Sequence, residues 1–311
     1  EGEPLPNIEF GLLDGANEVL VSWDKTPPGI IDNPIDFSDP FSPPVFSFSG
    51  TPSGITEDTA YTFNLVAVNT TTGCQSDSIQ GTITVQDGHE LSRNIGPAVQ
   101  ELCEGEEMQT IIYQWGGGAT SAQVTGLPIG LRVETDSSNK TVTISGSPTI
   151  ALTQDEDLEF YISSQNNTDS CTAKVDTLSL KMIKKPSIEV TSGARVQSAI
   201  CEGTQIDPVT FRIFNGATNI QLLWENDNIP PGSVYLDDTQ QSSGLYTLRG
   251  IIDGFDIDQT YNYSLKAINL GKGCESLELT GSLGVQKGHV LTRTQGSNSQ
   301  IICEGNAIEP I

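Results

Sequence analysis

Residues 59–69 are TAYTFNLVAVN, residues 156–165 are EDLEFYISSQ, and residues 259–269 are QTYNYSLKAIN. In each stretch, large apolar residues alternate with residues that are mostly polar or smaller. The aligned apolar positions are Tyr61, Phe63 and Leu65, then Leu158, Phe160 and Ile162, then Tyr261, Tyr263 and Leu265. A period of two is typical of a β-strand with one face in a hydrophobic core. The same strand is therefore expected three times, about one hundred residues apart.

Cysteines mark the same repeat. Cys-Glu-Gly occurs at residues 103–105, 201–203 and 303–305, and a second cysteine follows each alternating strand, at Cys74, Cys171 and Cys274. The chain opens with Glu1-Gly2, so we expect a cysteine before Glu1 and a repeat array that continues beyond both ends. This period predicts domains at 1–86, with a truncated first strand, at 87–185 and at 186–286, and the start of a fourth repeat at 287–311.

The composition indicates an all-β protein outside the cytoplasm. The chain has 31 Gly, 17 Pro and no long helical apolar pattern, which favours short strands joined by turns. A net charge of -25 argues against nucleic acid as a partner. No apolar run is long enough to span a membrane, so we expect no direct membrane insertion. Six cysteines without a CxxC pair favour disulfides in an oxidising compartment.

The turns between strands carry a recurrent motif. The second repeat contains Leu-Pro-Ile-Gly-Leu at 127–131 and Ile-Ser-Gly-Ser-Pro at 144–148, and the first contains Pro-Pro-Gly-Ile at 27–30 and Ser-Gly-Thr-Pro at 49–52. The third repeat matches less well, with Pro-Pro-Gly at 230–232. The pattern resembles immunoglobulin-like and cadherin-like repeats, and with the cysteine marks it is similar to SprB-like giant surface adhesins of gliding Bacteroidetes. That resemblance implies tandem immunoglobulin-like β-sandwiches and export by a type IX system.

Residues with catalytic chemistry are scattered. His89 and His289 occupy the same position two repeats apart and cannot share a site, so we interpret both as residues of a Gly-His turn between domains. The glycine run at 116–118 lacks a following Lys-Ser or Lys-Thr and is interpreted as a tight turn. No nucleophile can be paired with a base. We therefore expect no enzyme, no catalytic residues and no cofactor.

Acidic clusters are candidates for a metal site. They comprise Asp32, Asp36 and Asp39, then Asp155, Glu156 and Asp157, then Asp253, Asp256 and Asp258. Calcium takes six to eight oxygen ligands, so Asp253, Asp256 and Asp258 are a candidate calcium site. The spacing matches no known calcium loop, and acidic loops are usually only solvated.

Three short motifs are candidates for modification. Asp58-Thr59-Ala60, Asp77-Ser78-Ile79 and Asp176-Thr177-Leu178 fit the Asp-Ser/Thr-aliphatic pattern that the Bacteroidetes resemblance implies for O-glycosylation. Thr59, Ser78 and Thr177 are the acceptor candidates. The alternative is that they are ordinary surface residues of strands.

Two disulfide schemes remain open for Cys74, Cys103, Cys171, Cys201, Cys274 and Cys303. The first joins Cys103 to Cys171 and Cys201 to Cys274 within repeats, and leaves Cys74 and Cys303 to partners outside the chain. The second joins Cys74 to Cys103, Cys171 to Cys201 and Cys274 to Cys303. We favour the first, in which each bridge would contribute roughly 4 kcal/mol in the chain-entropy model.

Repetition without a catalytic site predicts a structural role. We expect a structural and adhesive segment of a long cell-surface filament, whose partners are a surface polysaccharide or another external target and the neighbouring repeats of the same chain. The alternative is a set of carbohydrate-binding or spacer repeats in a secreted polysaccharide-degrading protein. That role requires exposed aromatic side chains on one face, but aromatic residues make up only 6% of the chain.

Overall fold

The computed structural model describes residues 2–168, 171–289, 291–294 and 299–305. It divides into two compact units, residues 1–182 and 183–311. Regular structure in the described residues consists of β-strands and two short 3-10 helices, Glu225–Asp227 and Gln241–Ser243. None of the described helices is long and apolar enough to cross a membrane. Glu1 and part of the predicted fourth repeat lie outside the described residues.

The first repeat forms two sheets around one core. Its strands are β1 (Ile8–Gly11), β2 (Glu18–Trp23), β3 (Ile30–Asp32), β4 (Val45–Gly50), β5 (Thr59–Asn69), β6 (Cys74–Gln75) and β7 (Ile79–Val85). One sheet has the order β1-β4-β3, and in the other β5 pairs with β2, β6 and β7. Phe48 and Phe63 pack at the centre, with ring centroids 4.9 Å apart in an edge-to-face arrangement.

The second repeat belongs to the same unit and has two four-stranded sheets. Its strands are β8 (His89–Ile95), β9 (Val99–Cys103), β10 (Ile111–Gly117), β11 (Ser121–Thr125), β12 (Leu131–Asp136), β13 (Thr141–Gly146), β14 (Glu156–Gln165) and β15 (Val175–Ile183). The sheet orders are β12-β13-β10-β8 and β11-β14-β15-β9. Trp115 is buried in this core, which explains how the repeat fills its interior although Gly126 stands where the other repeats have Trp23 and Trp224.

The third repeat makes up most of the second unit. Its strands are β16 (Ser187–Ser192), β17 (Val196–Cys201), β18 (Val209–Phe214), β19 (Asn219–Trp224), β20 (Tyr235–Asp237), β21 (Leu245–Arg249), β22 (Gln259–Asn269), β23 (Cys274–Glu275) and β24 (Leu279–Gln286). The sheet orders are β16-β18-β21-β20 and β17-β24-β22-β19, with β23 pairing β22. Because the first two strands join different sheets and β17 runs parallel to the last strand β24, the fold is an immunoglobulin-like β-sandwich.

The alternating strands lie where the sequence pattern predicts. Phe160, Ile162, Tyr261, Tyr263 and Leu265 are all at most 2% exposed, and their first-repeat counterparts are buried as well. Leu158 is half-buried at the edge of its core. The described residues form three separate hydrophobic clusters, one in each repeat. The fold class predicted from the sequence is confirmed, and the exact domain limits remain a prediction.

Candidate functional site

The acidic loop of the first repeat uses its carboxylates for local turns. Asp36 Oδ1 accepts the Ser38 amide at 2.8 Å, and Asp39 accepts the Phe41 amide at 2.9 Å and the Ser42 hydroxyl at 2.7 Å. A hydrogen bond from Ser38 lowers the pKa of Asp36, and a hydrogen bond from Ser42 lowers the pKa of Asp39. These carboxylates shape the loop between β3 and β4.

One of the candidate calcium residues also has a structural partner for its carboxylate. Asp258 Oδ1 accepts the Lys287 amide at 2.7 Å, as Asp58 Oδ1 accepts the Asp87 amide at 2.9 Å in the first repeat. Asp253 contributes its own amide to the Pro231 carbonyl at 3.2 Å. Within the described ranges, no three His, Cys, Asp or Glu side chains are close enough together to hold a metal ion. Calcium at Asp253, Asp256 and Asp258 stays a prediction.

His89 lies in a strand, not in the turn that its Gly-His context predicted. It begins β8, is 4% exposed, and its Nδ1 lies 3.0 Å from the Ser164 hydroxyl. Ser164 is fully buried, and its hydroxyl accepts the Lys174 amide at 2.8 Å. A buried serine has no route to a substrate, so this pair ties β8 to the β14–β15 hairpin.

The glycine run of the second repeat likewise belongs mainly to a strand. Gly116 and Gly117 end β10 and pair with Glu90 and His89. Gly117 has a φ of 58° and lies against the Gly88 carbonyl, where a side chain would clash. Glycine is needed at this position because the backbones of neighbouring segments come too close for a side chain.

The cysteines correct the favoured disulfide scheme. Cys103 and Cys274 are disulfide-bonded, whereas Cys74, Cys201 and Cys303 are exposed thiols. Cys201 lies opposite Gln286 at the end of β24, while Cys274 lies opposite Asn269, beyond the start of β24. The length of β24 separates them by roughly 25 Å, far more than a disulfide can span. The bridge from Cys201 to Cys274 is therefore wrong, and the pairing of Cys74 and Cys303 with cysteines outside the chain stays a prediction.

The candidate glycosylation sites differ in access. Ser78, between β6 and β7, and Thr177, on β15, are exposed. Thr59 is partly buried at the start of β5, and its hydroxyl donates to the Glu57 carbonyl at 2.9 Å. The geometry thus favours Ser78 and Thr177 as acceptors over Thr59.

The third repeat has an open cleft of about 640 Å³. It is lined by Arg195, Trp224, Glu225, Asn262 and Tyr263, among others. Trp224 and Tyr263 pack edge to face at 5.5 Å, and the Tyr263 hydroxyl donates to the Arg195 carbonyl at 3.0 Å. The two rings belong to the core, which leaves little aromatic surface for stacking a ligand.

Sequence reasoning missed a glutamine side chain that makes the same pair of backbone hydrogen bonds in two repeats. The side-chain Nε2 of Gln100 donates to the Gln109 carbonyl at 2.9 Å, and its Oε1 accepts the Gln109 backbone N–H at 2.8 Å. Gln197 makes the same pair of contacts with Asp207, at 2.7 and 3.0 Å. The available signal was a glutamine three or four residues before each Cys-Glu-Gly, at Gln100, Gln197 and Gln300.

No family model and no curated protein matches this chain. Solved structures of tandem-domain proteins are similar at low identity. The N-terminal eight Ig domains of Down Syndrome Cell Adhesion Molecule give a TM-score of 0.43 at 12% identity, over 88% of this chain and 35% of that one. Protocadherin Gamma B7 extracellular cadherin domains 1-4 give a TM-score of 0.33 at 8% identity, over 91% of this chain and 72% of that one. Sidekick-1 immunoglobulin domains 1-4 give a TM-score of 0.32 at 14% identity, over 91% of this chain and 72% of that one. The fold assignment rests on the sheets themselves.

Proposed function

We propose that this chain is a structural and adhesive segment of a long, extracellular cell-surface filament of the SprB-like kind, used in gliding or attachment. The observation that carries the proposal is the pairing of the first and last strands of one sheet within a repeat. In the third repeat, β17 runs parallel to β24 from Val196 opposite Ser282 to Cys201 opposite Gln286.

Parallel first and last strands suit a domain that bears load. Tension applied to the two chain ends pulls β17 and β24 in opposite directions along their length. Their hydrogen bonds, including Glu202 N–H to the Gln286 carbonyl at 3.0 Å and Ser282 N–H to the Arg195 carbonyl at 2.9 Å, are then loaded together. Breaking several bonds at once requires more force than opening them one after another.

Exposed loops provide the surface for adhesion. The loop between β3 and β4 carries Phe37, 57% exposed, and Phe41, 97% exposed. Exposed aromatic residues held on a rigid sandwich are suited to contact an external polysaccharide or another surface target. Many weak contacts along a repeat array would add to a strong attachment by multivalency.

The proposal is tested on cells and on beads. Antibodies against the chain should label intact source cells, and external protease should remove that label. Beads coated with the chain should bind the polysaccharide surface that the cells colonise, and beads carrying Phe37→Ser and Phe41→Ser together should bind less. Val133→Ser, which changes an exposed apolar residue elsewhere, is the matched control. Purely intracellular protein would contradict the proposal, and tight binding of one oligosaccharide in solution would favour carbohydrate-binding repeats.

A further inference from the structure

The outer face of one sheet in the third repeat carries a block of polar side chains. The large residues of β22 and β24 point into the core, so the alternate residues of both strands lie on the opposite face. Asn262 lies directly opposite Ser282 there, and the next outward-facing pair is Ser264 and Thr280. Directly opposite side chains in a sheet are about 5 Å apart. All four residues line the cleft of about 640 Å³, whose volume lies in the range of small-molecule sites, roughly 300–1,000 Å³.

The hydroxyl groups of this face are not used by the fold. Among the described residues, the hydroxyls of Ser264, Thr280 and Ser282 make no hydrogen bond to another residue, although both serines are half-buried. Ser276 of the same hairpin behaves differently, since its hydroxyl accepts the Ala267 N–H at 2.9 Å. The hydrogen-bonding capacity of the cleft hydroxyls is therefore open to water or to a ligand.

Glu225 lies in the cleft beside Asn262. The chain leaves β19 at Trp224 and turns in the 3-10 helix Glu225–Asp227, where Asn226 has a φ of 53°. This turn brings the Glu225 carboxylate to β22, and its Oε2 accepts the Asn262 Nδ2 at 2.7 Å. The second carboxylate oxygen and the Asn262 Oδ1 have no hydrogen-bond partner in the part of the chain that the structure describes. The pair thus presents acceptors and an amide donor side by side, which matches two neighbouring hydroxyls of a sugar ring.

Arg195 adds further donors to the cleft. Its carbonyl accepts the Tyr263 hydroxyl at 3.0 Å and the Ser282 N–H at 2.9 Å, so its backbone is fixed beside β24. Its Nη1 donates to the Thr280 carbonyl. Arg195 has no carboxylate partner among the described residues, and its remaining guanidinium N–H groups are available to a ligand.

Charge and backbone pairing select the class of ligand. Glu225 and Glu278 line the cleft with only Arg195 to balance them, and the whole chain has a net charge of -25, so an anionic ligand is disfavoured. A peptide added as a strand requires an unpaired strand edge, but β22 and β24 each pair with neighbours on both sides. An uncharged ligand rich in hydroxyl groups fits these conditions best.

We propose that this cleft binds a neutral sugar unit of a glycan chain, through hydrogen bonds and not through stacking on an aromatic ring. The inference rests on the proposed adhesive function, because it assigns a contact with the external polysaccharide to the third repeat. Hydrogen bonds on an open face replace bonds to water, so the net affinity is weak, about millimolar. Weak contacts of this kind suit a filament in which many contacts act together.

Saturation-transfer difference NMR on the full chain tests the proposal. The probes are the methyl glycosides of glucose, galactose, mannose and N-acetylglucosamine, with glucuronic acid as the anionic comparison. We expect saturation transfer to at least one neutral glycoside and none to glucuronic acid. The glycoside that binds should also shift the side-chain amide signals of Asn262 in an amide correlation spectrum.

Two variants locate the binding in the cleft. Asn262→Ala and Glu225→Ala should each weaken it about fivefold or more, since each removes one or two hydrogen bonds to the sugar. Gln221→Ala changes an exposed polar residue of β19 in the same sheet and should bind like the unaltered chain. Circular dichroism must show that all three variants are folded. The absence of transfer to every neutral glycoside would overturn the proposal, and so would binding that persists in both cleft variants or a preference for glucuronic acid.

The outcome is separate from that of the proposed function. The variant with Phe37→Ser and Phe41→Ser changes the first repeat, so it should bind the glycoside like the unaltered chain. Protein found only inside cells would remove the surface role and leave the sugar site. A cleft that binds no sugar would remove the site and leave the surface role to the loop between β3 and β4.

Discussion

Gly81 lies directly opposite Phe63 on the neighbouring strand, and the Phe63 ring covers it so closely that a Cβ at Gly81 would lie inside the ring's contact distance. Gly281 and Tyr263 repeat this relationship in the third repeat. The glycine leaves room for the tip of a large aromatic ring against the neighbouring strand. The pair is thus a packing unit in which residue sizes are matched across two strands.

Gly281→Ala should therefore destabilise the third repeat by about 1–3 kcal/mol, because overpacking forces the Tyr263 ring out of place. Gly271→Ala is the matched control, since its φ is not positive and its nearest neighbour would be at 3.6 Å. Urea unfolding followed by tryptophan fluorescence measures both. Equal stability of the two variants would contradict this packing account.

Tyr113→Phe should destabilise the second repeat by about 1.5–3 kcal/mol, the range for a hydrogen bond to a charged group. The Tyr113 hydroxyl, on a side chain 1% exposed, donates to Asp176 Oδ2 at 2.5 Å. The exposed Tyr161, whose hydroxyl is 3.4 Å from Glu159, provides the control Tyr161→Phe, which should change little. Thermal unfolding of both variants measures the difference. An unchanged stability of Tyr113→Phe would show that this hydrogen bond does not stabilise the second repeat.

Tyr263 should make the third repeat less stable in alkali. Burial raises the pKa of Tyr263 to about 12 from its ordinary value of 10.0. Between these values the unfolded chain releases the phenol proton and the folded repeat keeps it. The free energy of unfolding should therefore fall with rising pH in this window, by up to about 1.4 kcal/mol per pH unit. Below about pH 10 this contribution is fully present.

Tyr263→Phe gives the third repeat the residue type that the first repeat has at Phe63. The free energy of unfolding of this variant should fall less steeply as the pH rises. Urea unfolding at about pH 9 and about pH 11.5 measures the difference. An identical slope in both proteins would mean that the Tyr263 proton is not retained on folding.

Gln197→Leu should cost about 1–3 kcal/mol, because it leaves the Asp207 N–H and C=O without the side chain that binds both. Gln197 is 8% exposed, so water cannot readily replace it. Gln221→Leu, at an exposed position on β19, is the control. Amide hydrogen exchange at Asp207 should accelerate in the first variant only; unchanged exchange would rule out the proposed role.

Local patterns made much of the fold predictable. The period-two burial around Phe160 and Tyr263 requires only local sequence, and the structure confirms it. The contacts of His89 with Ser164 and of Tyr113 with Asp176 join residues far apart in the chain, so spacing alone could not reveal them. The Cys201–Cys274 pairing failed for the same reason: the sequence does not show that the length of β24 separates the two residues.

The central claim is that each repeat is a separate sandwich that unfolds on its own. Stretching the chain by its two ends in a force spectrometer, under a reducing agent, tests it most directly. We expect three separate unfolding events, each releasing about 30 nm of chain, the length of roughly one hundred extended residues less the folded span. A single event that releases the whole chain at once would contradict the claim.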